Sequence, residues 1–126
     1  MKIKKTTITL FLLVLINSGG IFAQAKLTVK DAKQGFGTVK KGEVVKLNYE
    51  ITNDGNEPLI INKVEVSCSC TSVEFDKKPV LPSQKTIVTV IFDTKTVYDR
   101  QDRVVEVFSN DKKGPHKLRY KGVVLK

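Results

Sequence analysis

In 126 residues the sequence has no tryptophan, one histidine, two cysteines and no methionine beyond the initiator. Each scarcity removes a class of chemistry. A lone histidine cannot make an H-E-x-x-H zinc helix, and neither a Walker sequence nor G-x-S-x-G occurs. A Ser–His–acid arrangement would have to use His116, which follows Pro115 in a turn-rich stretch with no neighbour to orient it, so it reads as plain surface. Gly35-Phe36-Gly37 is two thirds of a dinucleotide fingerprint, but Lys40 stands where the third glycine belongs; the segment reads as a bend before a strand. Tyr49, Tyr98 and Tyr120 sit on separate segments without the spacing of an RNA-recognition module, so no nucleic acid is expected as a partner. No catalytic residue, cofactor site or committed metal site follows from these residues.

Long apolar runs are missing too. Ile8–Ile16 spans nine residues, against the roughly 20 that a membrane-spanning helix needs. Lys2, Lys4 and Lys5 precede this run, Asn17-Ser18-Gly19-Gly20 breaks it, and Ala23-Gln24-Ala25 offers small residues at both positions a signal peptidase reads. That order of charge, greasy segment and A-x-A marks residues 1–25 as a cleavable secretory leader. Cleavage is expected after Ala25, with Ala23 as the near alternative. The chain is therefore expected in the periplasm or outside the cell, with no stable membrane anchor after processing.

Removing the leader takes away three lysines and no acid, leaving 19 Lys+Arg against 13 Asp+Glu, a net charge of +6. Lys40-Lys41, Lys77-Lys78 and Lys112-Lys113 each lie near a Gly or Pro, as solvated loop tips do. Residues 26–126 are the size of one domain.

Period-two alternation dominates that domain. Val45, Leu47, Tyr49 and Ile51 alternate with Lys46, Asn48 and Glu50, a strand with one wet face. Asn53-Asp54-Gly55-Asn56 then signals a turn whose glycine can take positive φ. Leu59 and Ile61 share one parity and Val64 and Val66 the other, so a bulge is expected near Asn62-Lys63. Val88, Val90 and Phe92 form a further strand, with Phe92 at the centre of the core; Asp93 to Arg103 reads as a polar connection. Val105 and Val107, and then Leu118, Tyr120, Gly122 and Val124, supply the last two strands, while Leu27, Val29, Phe36 and Val39 mark the first. About seven short strands with turns every 8 to 12 residues predict an all-β antiparallel sandwich.

One motif stands apart: Cys68-Ser69-Cys70. Alternate residues of a straight strand have Cα atoms about 6.6 Å apart, at the outer limit for a disulfide, so a bond needs a bend at Ser69. Such a bent bond would be easily reduced and so a redox element, and a disulfide from these cysteines to another chain belongs to the same reading. Two thiolates also suit Cu(I) or zinc, with His116 as the one further ligand available. The third reading is two small apolar side chains filling the core on the face of Val64 and Val66. The spacing leaves all three open.

The run Phe36-Gly37, Gly42, Tyr49, Asn53-Asp54-Gly55-Asn56-Glu57-Pro58-Leu59-Ile60-Ile61, Cys68-Ser69-Cys70-Thr71, Leu81-Pro82, Phe92, Ser109-Asn110 and Gly122 resembles domain-of-unknown-function family 1573. The resemblance spans about residues 34–125 and extends to Hydin and major-sperm-protein domains. It implies an exported immunoglobulin-like domain that binds rather than catalyses. The chain departs from the family pattern in three places. Ser69 replaces a glycine between the cysteines, Ser83 replaces a glycine after Pro82, and Tyr98 and its neighbours replace a glycine before the penultimate strand. The expected role is a protein-binding or envelope-structural module whose partner is another envelope or secreted protein. The alternative is a redox or soft-metal domain working through Cys68 and Cys70.

Overall fold

The computed structural model describes residues 23–126. The lysines and apolar run of the expected leader lie outside the described residues. Eight strands follow: β1 (Leu27–Val29), β2 (Lys33–Lys40), β3 (Val44–Asn53), β4 (Ile61–Val66), β5 (Thr71–Glu74), β6 (Lys85–Asp93), β7 (Asp99–Ser109) and β8 (His116–Leu125). They form two four-stranded sheets, in the orders β1-β3-β6-β5 and β2-β8-β7-β4.

The sandwich forms because alternation gives each sheet one apolar face. Tyr49, Ile51, Val88, Val90 and Phe92 of the first sheet are fully buried against Val105, Val107, Leu118, Tyr120 and Val124 of the second. Each such side chain contributes roughly 1.5–3 kcal/mol. Phe92 sits at the centre, as expected. Its ring lies 5.6 Å from Phe36 and 5.3 Å from Tyr120, centroid to centroid, in tilted packing.

One pairing departs from the antiparallel scheme. β2 runs parallel to β8, with Lys33 opposite Arg119 and Lys40 opposite Leu125. Alternation reports which face a residue takes and is silent on strand direction. The register slips between Gly35 and Gly37, so Gly35-Phe36-Gly37 is a bulge inside β2 rather than a bend before it. Gly37 has φ 73°, a conformation glycine adopts freely. The bulge expected near Asn62-Lys63 is present, between Ile61 and Lys63.

Two further differences have physical causes. Residues 99–103 belong to β7, not to a connection. Their inward positions are polar, so alternation is hidden: buried Gln101 donates to the Tyr98 carbonyl (2.8 Å) and accepts from Arg103 Nη2 (2.8 Å). Gly55 does not use positive φ, since only Gly37, Gly42 and Gly114 do so among the described glycines. It is there for room: a Cβ would lie 2.2 Å from the Gln24 carbonyl oxygen. That oxygen accepts from Asn56 N (3.0 Å) and Glu57 N (3.3 Å), and Ala25 is 5% exposed. Gln24 and Ala25, which cleavage after Ala25 would assign to the leader, are thus hydrogen-bonded and packed into the sandwich.

Candidate functional site

β4 is an edge of one sheet and β5 an edge of the other, and residues 67–70 carry the chain across between them. The crossing is a turn, closed by Thr71 N donating to the Cys68 carbonyl at 3.1 Å. Ser69 makes this bend without positive φ, so the glycine of the family pattern is dispensable here. The turn brings the two Cα atoms to 5.1 Å, and Cys68 and Cys70 are joined as a disulfide. Neither cysteine sits on the strand that carries Val64 and Val66, because β4 stops at Val66. The expectation of packed free thiols on that face is corrected accordingly: no cysteine is free.

The two sulfurs occupy different surroundings. Cys68 is half-buried and Cys70 is 8% exposed. The Cys70 N–H points at Cys68 Sγ, 3.1 Å away. Cys70 is itself fixed to the end of β6 by Asp93 N, which donates to its carbonyl at 2.8 Å. Its Sγ lies 3.7 Å from Thr71 Oγ1, and that hydroxyl is 2.5 Å from the Tyr120 hydroxyl. Burial pushes the Tyr120 phenol up, while the Thr71 hydrogen bond and the Arg103 charge pull the other way; the net shift is upward. Tyr120 therefore stays protonated at neutral pH. A line of hydroxyls runs from it to the buried sulfur.

His116 is not part of this group. It opens β8, whereas Tyr120 lies four residues further along the same strand, roughly 13 Å away at the usual rise. Among the described residues no cluster of three or more His, Cys, Asp or Glu side chains is placed to hold a metal. The soft-metal set Cys68, Cys70 and His116 is thus not brought together, and the sulfurs are bonded to each other.

His116 does have a partner, which its sequence neighbours did not reveal. Its Nε2 lies 3.0 Å from Asp111 Oδ2, and that carboxylate also accepts from Leu27 N (2.8 Å) and Lys113 N (2.9 Å). Burial would push the Asp111 carboxyl up, but the hydrogen bonds from Lys113, Leu27 and His116 outweigh it and hold the group below its ordinary value. The arrangement ties β1 to the β7–β8 connection. The one hint in the sequence is Asp111 two residues before Lys113 in a turn, where an aspartate caps backbone N–H groups. Nothing in the spacing pointed to Thr71 and Tyr120, which are 49 positions apart.

The outer strand of the second sheet, β4, pairs with β7 alone. Val66 at its end is 39% exposed and Ile60 just before its start 38% exposed. A hollow of about 130 Å³ lies between β4 and β7, lined by Glu65, Val66, Ser67, Val104 and Glu106.

Residues 27–124 match a family described as a protein of unknown function, DUF1573. No curated protein matches the sequence. Among solved structures, a protein of unknown function from Porphyromonas gingivalis W83 superposes with a TM-score of 0.72 at 19% identity, covering 80% of this chain and 48% of that one. The PapD-like domain of human CEP192 gives 0.64 at 11% identity, over 83% of this chain and 89% of that one. The Vibrio cholerae VesB protease gives 0.60 at 16% identity, over 82% of this chain and 32% of the protease. At these identities the likeness is one of fold. This chain spans about half of the Porphyromonas protein and a third of the protease.

Proposed function

The chain belongs to the DUF1573 family of proteins of unknown function, and from that premise we propose that it is an exported, non-catalytic immunoglobulin-like module that binds another envelope or secreted protein. The contact is strand addition at β4. A strand paired on one side offers a row of backbone donors and acceptors to an incoming extended segment. The observation that carries the reading is the open β4 edge with exposed Val66 at its end. Two of the other outer strands are shorter, β1 with three residues and β5 with four, while β2, like β4, carries a bulge. β4 offers six residues.

The test is a photo-reactive residue at Glu65, on the outward face of β4, irradiated in the cells of origin. A control carries the same residue at Lys46, in the interior of the first sheet. A discrete adduct from position 65 and none from position 46 is the expected result. Equal labelling at both, or none at either, removes strand addition at β4 from consideration.

A further inference from the structure

Beyond a binding role, we propose that the Cys68–Cys70 disulfide is a thiol-exchange site that accepts two electrons from a protein dithiol, with Cys68 as the sulfur attacked. The difference in exposure sets the direction. Cys68 is half-buried and Cys70 is 8% exposed, both in the connection between two sheet edges. A partner thiolate therefore reaches Cys68 Sγ. The new S–S bond forms there, the Cys68–Cys70 bond breaks, and its electron pair leaves on Cys70 Sγ.

That leaving sulfur faces a donor. Either hydroxyl can donate in the Thr71 Oγ1–Tyr120 contact (2.5 Å); whenever Tyr120 is the donor, the Thr71 hydroxyl is free to donate to Cys70 Sγ, 3.7 Å away. Such a hydrogen bond stabilises the departing thiolate until it takes a proton from water. The partner's second thiol, having lost its proton, then attacks its own sulfur in the mixed disulfide. Cys68 leaves as a thiolate facing the Cys70 N–H, 3.1 Å from its Sγ in the oxidised form. The partner departs as a disulfide. Two electrons and two protons have moved to Cys68 and Cys70. The carbonyls of Cys68 and Cys70 are held by Thr71 N and Asp93 N, bonds that do not involve sulfur, so the turn persists in the reduced protein.

The test uses the protein expressed with its leader and purified after export, with dithiothreitol and glutathione as probe thiols. Dithiothreitol should reduce the pair while circular dichroism stays that of the folded sandwich. Glutathione trapped during reduction should map by mass spectrometry to Cys68. In single variants, Cys68 in Cys70→Ser should react with a thiol reagent at least about tenfold faster than Cys70 in Cys68→Ser, as the difference in exposure requires. Thr71→Val should slow reduction about fivefold through loss of one hydrogen bond, and Thr71→Ser should restore it. The wild-type glutathione map decides the matter if a variant fails to fold. Glutathione on Cys70, resistance of the folded protein to dithiothreitol, or unfolding upon reduction would each overturn the proposal, the last by making the bond a structural staple.

Discussion

Replacing Ser83 by glycine should stabilise the sandwich. Leu81-Pro82-Ser83-Gln84 is a turn closed by Gln84 N donating to the Leu81 carbonyl at 3.0 Å. Proline in the second position and φ 68° at Ser83 in the third define a type II turn. A residue with a Cβ pays roughly 1–2 kcal/mol to sit in this left-handed region. Glycine removes that strain and returns roughly 0.4–1 kcal/mol through the greater freedom of the unfolded chain. The net gain is about 0.5–1 kcal/mol. Nothing offsets it: Ser83 is exposed, its hydroxyl makes no hydrogen bond among the described residues, and its N–H keeps its 2.8 Å bond to the Asn53 carbonyl. For a domain of this size the gain corresponds to a melting temperature higher by roughly 2–8 °C. Thermal melting and urea titration of Ser83→Gly beside Ser83→Ala give the check, since alanine keeps the strain and should gain nothing. If glycine and alanine melt alike, the left-handed serine is not a source of strain.

Gly122→Ala should destabilise by about 1–3 kcal/mol, because a Cβ there would lie 2.3 Å from the Phe36 ring and 2.6 Å from the Gly37 carbonyl oxygen; an unchanged urea midpoint would contradict it. Asp111→Ala leaves the Leu27 and Lys113 N–H groups without their acceptor and should cost roughly 2–4 kcal/mol at neutral pH. The folded-state pKa of Asp111 is lowered, so its contribution is fully present above the unfolded carboxyl value of about 4 and disappears as pH falls through the lower folded value. The gap between wild type and Asp111→Ala in urea should therefore narrow below about pH 4, and a gap that widens there would invert the reasoning. The mass of the exported protein should correspond to a chain that starts at Gln24, because Gln24 N can still donate to Asn56 Oδ1 (2.8 Å) and Ala25 stays packed; a chain starting at Lys26 would show that this segment is dispensable.

The inward faces of β3, β6 and β8 were legible because burial and sequence period coincide there. Tyr49, Phe92 and Tyr120 alternate with residues that meet water, and the pleat turns that order directly into a core. Where inward positions carry Gln101 and Arg103, the same pleat is present but the hydropathy signal is gone, and the first five residues of β7 read as a loop. Strand direction is invisible to periodicity, so the parallel β2–β8 pair was not foreseen. The family pattern located two positions that composition did not. Ser83, which stands where a glycine is usual, has φ 68°, and Asp99, beside Tyr98 and the first residue of the penultimate strand, has φ 67°. Both positions hold a backbone that favours glycine, and aspartate tolerates the left-handed region better than most.

The site itself was half-written in the sequence. Cys68 and Cys70 were singled out by scarcity, and the condition for their bond was a bend at Ser69. What decided between the readings was tertiary. A strand that continued through residue 70 would have held the two Cα atoms about 6.6 Å apart on one face; the chain instead leaves one sheet at Val66 and joins the other at Thr71. Facing layers lie about 10 Å apart, a gap that four residues can span even when one of their links is folded into a turn. The crossing therefore supplies the curvature that brings the Cα atoms to 5.1 Å. It also leaves Cys68 half-buried and sets the Cys70 sulfur beside Thr71, which reaches Tyr120 of the opposite sheet. The asymmetry of the pair is a consequence of the sandwich, and no reading of three adjacent residues contains it.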